Sequence, residues 1–94
     1  MIAFLLLLLA LSSGPDVRIK DHAFLPSTLT VSVGTTVTWT NEDETPHQVA
    51  QTGGGFKSAA LDTDDRYTYK FNKPGTYDYF CPLHPQMRGT IIVK

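Results

Sequence analysis

Cysteine occurs once, at Cys81, in a chain of 94 residues. A single thiol cannot close an internal disulfide, and it cannot supply the two or four thiolates of a structural zinc site. Basic residues are also scarce: eight Lys and Arg stand against nine Asp and Glu, with no basic cluster anywhere, which argues against a nucleic-acid surface. No stretch shows a helical stripe of apolar residues. The chain is too short for a two-domain catalytic cleft and has room for one small domain. Such a body buries only roughly 60–65% of its unfolded surface, so its core is expected to lean on something further, such as a bound metal.

The one long hydrophobic run is at the start. Met1 to Leu11 is unbroken apolar sequence, followed by Ser12-Ser13-Gly14. An apolar segment of this length ending in small residues reads as a secretory signal peptide over residues 1–14, since a membrane span needs about 20. Residues 15–94 are then the folded domain, and the localisation expected is periplasmic or secreted, without a stable membrane span.

From Val17 onward the chain breaks into short period-two runs separated by turn residues, the pattern of an all-β sandwich or barrel. Leu29, Val31 and Val33 are expected on one strand face. Val37 and Trp39 alternate with Thr36, Thr38 and Thr40, as half-buried strands prefer. Tyr67, Tyr69 and Phe71 alternate on a later strand that runs into Asn72-Lys73-Pro74-Gly75. Pro-Gly suits the centre of a type II turn, so Tyr77, Tyr79 and Cys81 are expected on its hairpin partner. A loop over Pro82 to Arg88 and a closing strand over Gly89 to Val93 complete the pattern.

The chemistry concentrates in Cys81-Pro82-Leu83-His84-Pro85-Gln86-Met87. Thiolate, imidazole and thioether recur every third residue, and His47 follows Pro46 beyond the strand that bears Trp39. Taken alone, a buried cysteine is usually a small hydrophobe, a lone histidine is usually polar surface, and a single methionine is gap filler. Together, two histidines, one cysteine and a weak methionine suit a mononuclear type 1 copper site: the sulfur donors hold Cu(I), and imidazole serves both oxidation states. Zinc gains little from methionine.

These segments resemble the cupredoxins, and among them the amicyanins. The C-x-x-H-x-x-M spacing from Cys81 to Met87 is similar to that family's copper loop, and Val37 to Asn41 followed by Pro46-His47 is similar to its first-histidine segment. The resemblance covers residues 17–94. It implies a cupredoxin-like Greek-key β-sandwich, with one copper held by His47, Cys81 and His84 in the equatorial plane and Met87 as axial ligand. It also implies a small, monomeric periplasmic carrier of single electrons between redox partner proteins, a dehydrogenase or cytochrome as donor or acceptor.

The sequence departs from the family pattern in three places: Gln48 follows the first histidine instead of Asn, Phe80 precedes the cysteine, and proline stands at Pro82, one place early. Leu83 therefore keeps an N–H, which is expected to give the Cys81 sulfur a second donor beside Gln48. His22 has no paired motif and is not expected to be a ligand. Leu83, Pro85 and Pro46 are expected to form an apolar port around His84. The acidic run Glu42-Asp43-Glu44 lies just before His47, where it would steer a basic partner, and Asp62, Asp64 and Asp65 form a second acidic group.

Two rival functions carry less of the sequence. An enzyme is disfavoured, because three histidines and one cysteine supply neither a trinuclear copper cluster nor a binuclear copper centre, and a Cys-His nucleophile would leave Met87 unexplained. A copper-delivery protein would be expected to use an open, Met-rich or His-rich site. Met87 is the only methionine after the leader.

Overall fold

A computed structural model describes residues 14–94. Apart from Gly14, the expected leader lies outside the described residues. Eight strands form two four-stranded sheets: β1 (Asp16–Lys20), β2 (Ala23–Leu25), β4 (Thr35–Asn41) and β6 (Arg66–Phe71) in the order β2-β1-β4-β6, and β3 (Thr28–Val31), β5 (Ala50–Gln51), β7 (Gly75–Cys81) and β8 (His84–Val93) in the order β3-β8-β7-β5. Each sheet is mixed, since β1 runs parallel to β4 and β3 parallel to β8. The expected all-β sandwich is borne out. Among the described residues no helix is long and apolar enough to cross a membrane.

The alternation seen in the sequence sets which faces meet. Val17 and Ile19 from β1, Val37 and Trp39 from β4, Phe71 from β6, Tyr79 and Cys81 from β7, and Ile91 and Val93 from β8 are all buried between the sheets. Their neighbours in sequence point outward, as the pleat requires. Trp39 lies at the centre, edge-on to Tyr79 with ring centroids 5.4 Å apart and tilted against Phe71 at 6.4 Å.

Three expectations are corrected. β6 and β7 do not form a hairpin: β6 pairs with β4, and β7 pairs with β8 and β5 in the facing sheet. The Pro74-Gly75 segment therefore carries the chain from one sheet to the other, which lets Phe71 and Tyr79 enter the core from opposite sides. Val33 does not share the face of Leu29 and Val31, because β3 ends at Val31 and leaves Val33 45% exposed. The loop expected over Pro82 to Arg88 shrinks to the two residues Pro82 and Leu83. Cys81 pairs directly with His84, and β8 begins there instead of at Gly89.

Burial has a measurable consequence at Tyr79, which is 1% exposed. Desolvation pushes its phenol up to about 12, against the opposing pull of the Trp39 indole N–H. An unfolded tyrosine ionises near pH 10, so the fold holds this proton more tightly than the unfolded chain does. Stability is expected to be full below about pH 10 and to fall between about pH 10 and 12 by up to about 1.4 kcal/mol per pH unit. Denaturant titrations at pH 9 and pH 11.5 should show this loss in the parent chain and a smaller one in Tyr79→Phe.

Candidate metal centre

His47 reaches the end of the sandwich through a loop held by one buried side chain. Asn41, at the end of β4, is fully buried. Its Nδ2 donates to the carbonyls of Thr45 at 3.0 Å and Leu61 at 2.8 Å, and its Oδ1 accepts the Asp43 N–H at 2.9 Å. An amide that uses both its donors and its acceptor in this way fixes the loop between them. His47 itself pairs with Leu61 through two backbone bonds of 3.1 and 2.7 Å. Its ring is fully buried, with Nδ1 3.9 Å from the Cys81 sulfur.

This spacing is what a metal asks for. A first-row divalent ion bonds imidazole nitrogen at about 2.0–2.1 Å and thiolate at about 2.3 Å, so two such donors spread about 120° apart lie roughly 3.8 Å from each other. Cys81 is buried at the end of β7, Met87 is 5% exposed on β8, and His84 is half-buried directly across from Cys81. The His47 and His84 rings meet edge-on with centroids 5.0 Å apart. The two-residue turn at Pro82-Leu83 thus folds the His84 end of β8 back over Cys81. A donor set of two imidazoles, a thiolate and a thioether fits copper by its chemistry.

The sulfur has one N–H donor among the described residues, Gln48 at 3.3 Å. The second donor expected from Leu83 is absent: Leu83 lies in the two-residue turn between the paired Cys81 and His84 and makes no bond to the sulfur. Gln48 does more than its backbone: its side chain donates to the Ser58 carbonyl at 2.8 Å, and Ser58 Oγ accepts the Val49 N–H at 2.9 Å. The His47 loop is therefore pinned despite the missing asparagine.

Sequence reasoning missed two residues here. Asp43 lies four residues before His47, and its Oδ2 is 2.8 Å from His47 Nε2. With Nδ1 facing the sulfur, Nε2 carries the proton and donates it to this carboxylate, the arrangement that orients metal-bound imidazoles. Burial by itself would raise the Asp43 carboxyl, but the His22 and Asp21 backbone N–H groups and His47 overcome it and hold the group down at about 2. The second missed residue is His22, whose ring meets His47 at 5.0 Å and His84 at 4.8 Å between centroids, edge-on in both cases. Capping patterns and spacing give no sign of it, because the turn that carries it is fixed by Asp43 from a distant loop. Asp43→Asn is expected to weaken copper binding roughly 10–100-fold by loosening His47. Competition titration against a chelator of known affinity would measure this.

The two acidic runs, separate in sequence, prove to be neighbours. Thr63 Oγ1 donates to the Asp43 carbonyl at 2.7 Å, the Asp64 N–H to the Asn41 carbonyl at 2.7 Å, and the Asn41 N–H to the Asp65 carbonyl at 3.0 Å. Glu42 is engaged by Arg18, whose Nη2 and Nε reach it at 2.8 to 3.1 Å. Glu44, Asp62, Asp64 and Asp65 remain exposed along one flank of the metal end.

The family model for a cupredoxin-like domain matches residues 2–93. The chain belongs to the cupredoxin family. It is 36% identical over 88 residues to amicyanin-alpha of Methylorubrum extorquens, covering 88% of this cupredoxin and 74% of the relative. It is 37% identical to plastocyanin of Scenedesmus fuscus, covering 84% of this chain and all of that one. Its structure superposes on a novel purple cupredoxin from Nitrosopumilus maritimus with a TM-score of 0.79 at 33% identity, covering 85% of this chain and 99% of that one. The expected resemblance to cupredoxins and amicyanins is borne out.

Proposed function

We propose that this cupredoxin is a one-electron carrier with a type 1 copper site formed by His47, Cys81, His84 and Met87. The observation that carries the reading is the 3.9 Å approach of His47 Nδ1 to the Cys81 sulfur, supported by the pairing of Cys81 with His84 and by the burial of Met87 three residues further along β8. Copper, when bound, supplies the Cu(II)/Cu(I) couple. The chain's own residues hold the site still: Asn41 and Gln48 fix the His47 loop, Asp43 orients the His47 ring, and strand pairing fixes Cys81 against His84. Rigid donors keep the cage similar in both oxidation states, which suits electron transfer better than metal exchange. For the same reason the chain is read as a carrier and not as an enzyme.

Leu83 is 49% exposed next to the half-buried His84 in the chain, and Pro46 and Pro85, which adjoin His47 and His84 in sequence, are exposed too, which suits apolar contact with a redox partner. The acidic flank beside it suits a basic partner such as a cytochrome, acting with a monomeric carrier in the periplasm or outside the cell. Association with a basic c-type cytochrome is expected to slow roughly tenfold or more from low to high salt. Stopped-flow mixing of the reduced carrier with the oxidised cytochrome would show it, and a flat salt profile would remove the acidic flank from the account.

The test of the metal reading is one equivalent of Cu(II) added to the domain from residue 15. Intense blue absorption, bleached by ascorbate, with narrow copper hyperfine splitting in EPR, is expected. A nearly colourless Cu(II) complex would show that Cys81 is not a ligand and would favour the delivery reading.

A further inference from the structure

The described residues hold one further cluster of metal-ligating side chains, on the other side of His47 from Cys81. A nitrogen of His22, a carboxylate oxygen of Asp43 and a nitrogen of His47 all lie within 4.8 Å of one another. His47 Nε2 is 2.8 Å from Asp43 Oδ2, and His22 Nδ1 is 3.9 Å from the same oxygen. The His22 side chain is 52% exposed, so this cluster opens to solvent, whereas the Cys81 side of His47 is closed.

The backbone beneath His22 is unusual. Asp21 and His22 both take positive φ, 52° and 58°, and neither is glycine. Such conformations cost of order 1–3 kcal/mol each and persist only where the surroundings impose them. Here the Asp43 carboxylate imposes them: Oδ1 accepts the Asp21 N–H at 2.7 Å and Oδ2 the His22 N–H at 3.0 Å. One carboxylate thus shapes the turn that presents His22 and also touches His47. His22 packs against His47 and His84 but is not one of the four donors of the inner site.

We infer that His22, Asp43 and His47 Nε2 form a second, outer site for a first-row divalent cation of the Zn(II) or Cu(II) type, back to back with the inner site across the His47 ring. Two imidazoles and a carboxylate suit such ions, and the lack of thiolate or thioether removes the preference for Cu(I) that the inner donors have. Binding displaces the Nε2 proton to solvent, leaving His47 as an imidazolate bridge with Nδ1 inward and Nε2 outward. No electron moves in this step. The outer cation draws charge from His47 and favours the less positive state of the inner ion, so it raises the inner midpoint potential.

The inference rests on the copper reading for its inner neighbour alone, and the two are separable. The copper-loaded protein is titrated with Zn(II) by calorimetry, with metals counted after desalting and the midpoint potential recorded. One further zinc per chain and an upward shift in potential are expected. His22→Ala should keep the blue band, bind this zinc roughly 10–100-fold more weakly and lose the shift. No second metal, or equal zinc affinity in His22→Ala, overturns the outer site. If copper itself gives no blue band, the electron-carrier reading fails, and the comparison moves to Cys81→Ser with and without His22→Ala. Zinc binding that depends on His22 in that background supports the outer site, and equal binding in the two variants overturns it.

Discussion

Cys81→Ser is expected to abolish the blue absorption and the narrow EPR hyperfine splitting while leaving the sandwich folded. The sulfur is the donor that no other residue replaces: it is the only thiol in the chain, fully buried, with His47 Nδ1 at 3.9 Å and, among the described residues, a single N–H, that of Gln48, at 3.3 Å. Serine keeps the shape within a fraction of an ångström and can still accept the Gln48 N–H. What it lacks is the soft, polarisable thiolate that holds Cu(I) and gives the intense charge-transfer band. The variant therefore separates a loss of electronic structure from a loss of fold, and far-UV circular dichroism of the metal-free protein provides the control. Retention of the blue band in the serine variant would falsify the donor assignment at once.

Gly89→Ala is expected to be among the most destabilising single-methyl additions available to the chain. Gly89 pairs with Tyr79 across the β7–β8 ladder. A Cβ on Gly89 would overlap the Tyr79 Cζ and hydroxyl oxygen and approach Cε1 to 2.8 Å. The ring cannot swing clear, because Phe24 lies against it at 4.7 Å and Trp39 at 5.4 Å between centroids. Overpacking of this sort costs about 1–3 kcal/mol, which for a domain of this size lowers Tm by about 4–8 °C for each kcal/mol. Tyr79 is two residues from Cys81 on the same strand face, so the displaced ring should also disturb the thiolate. Calorimetry with and without copper would register both effects. An unchanged Tm would mean that the Tyr79 ring has room to move.

The strands with clean alternation were legible because burial on one face leaves a period of two whatever the topology. Val37 and Trp39 are the clearest case, and the outcome matches. Pairing was less legible. Pro74-Gly75 has the chemistry of a hairpin turn, yet it joins strands in different sheets, since turn propensity acts over four residues and sheet membership is decided by the whole core. The ligand spacing from Cys81 to Met87 was visible for the opposite reason: three donors within seven residues need only one short turn to converge. His22 and Asp43 illustrate the limit. Their relation depends on two left-handed residues held by a carboxylate from a separate loop, which leaves no periodic trace in the sequence. Leu83 shows how a local argument can fail, since its N–H is free of proline's restriction yet makes no bond to the sulfur, whose backbone donor is Gln48.

The parallel pairing of β3 with β8 has a bearing on the order of assembly. β3, near the start of the described residues, has β8 as its only strand partner among them, and β8 is the last strand they contain. A chain that emerges from its amino end must hold β3 unpaired until β8 arrives, and such non-local pairings are slow to form. His84 and Met87 belong to that same last strand. Completion of the second sheet and completion of the inner ligand set are therefore one event. A chain whose β8 has yet to be made cannot trap copper in its finished geometry, so metal capture waits on completion of the second sheet.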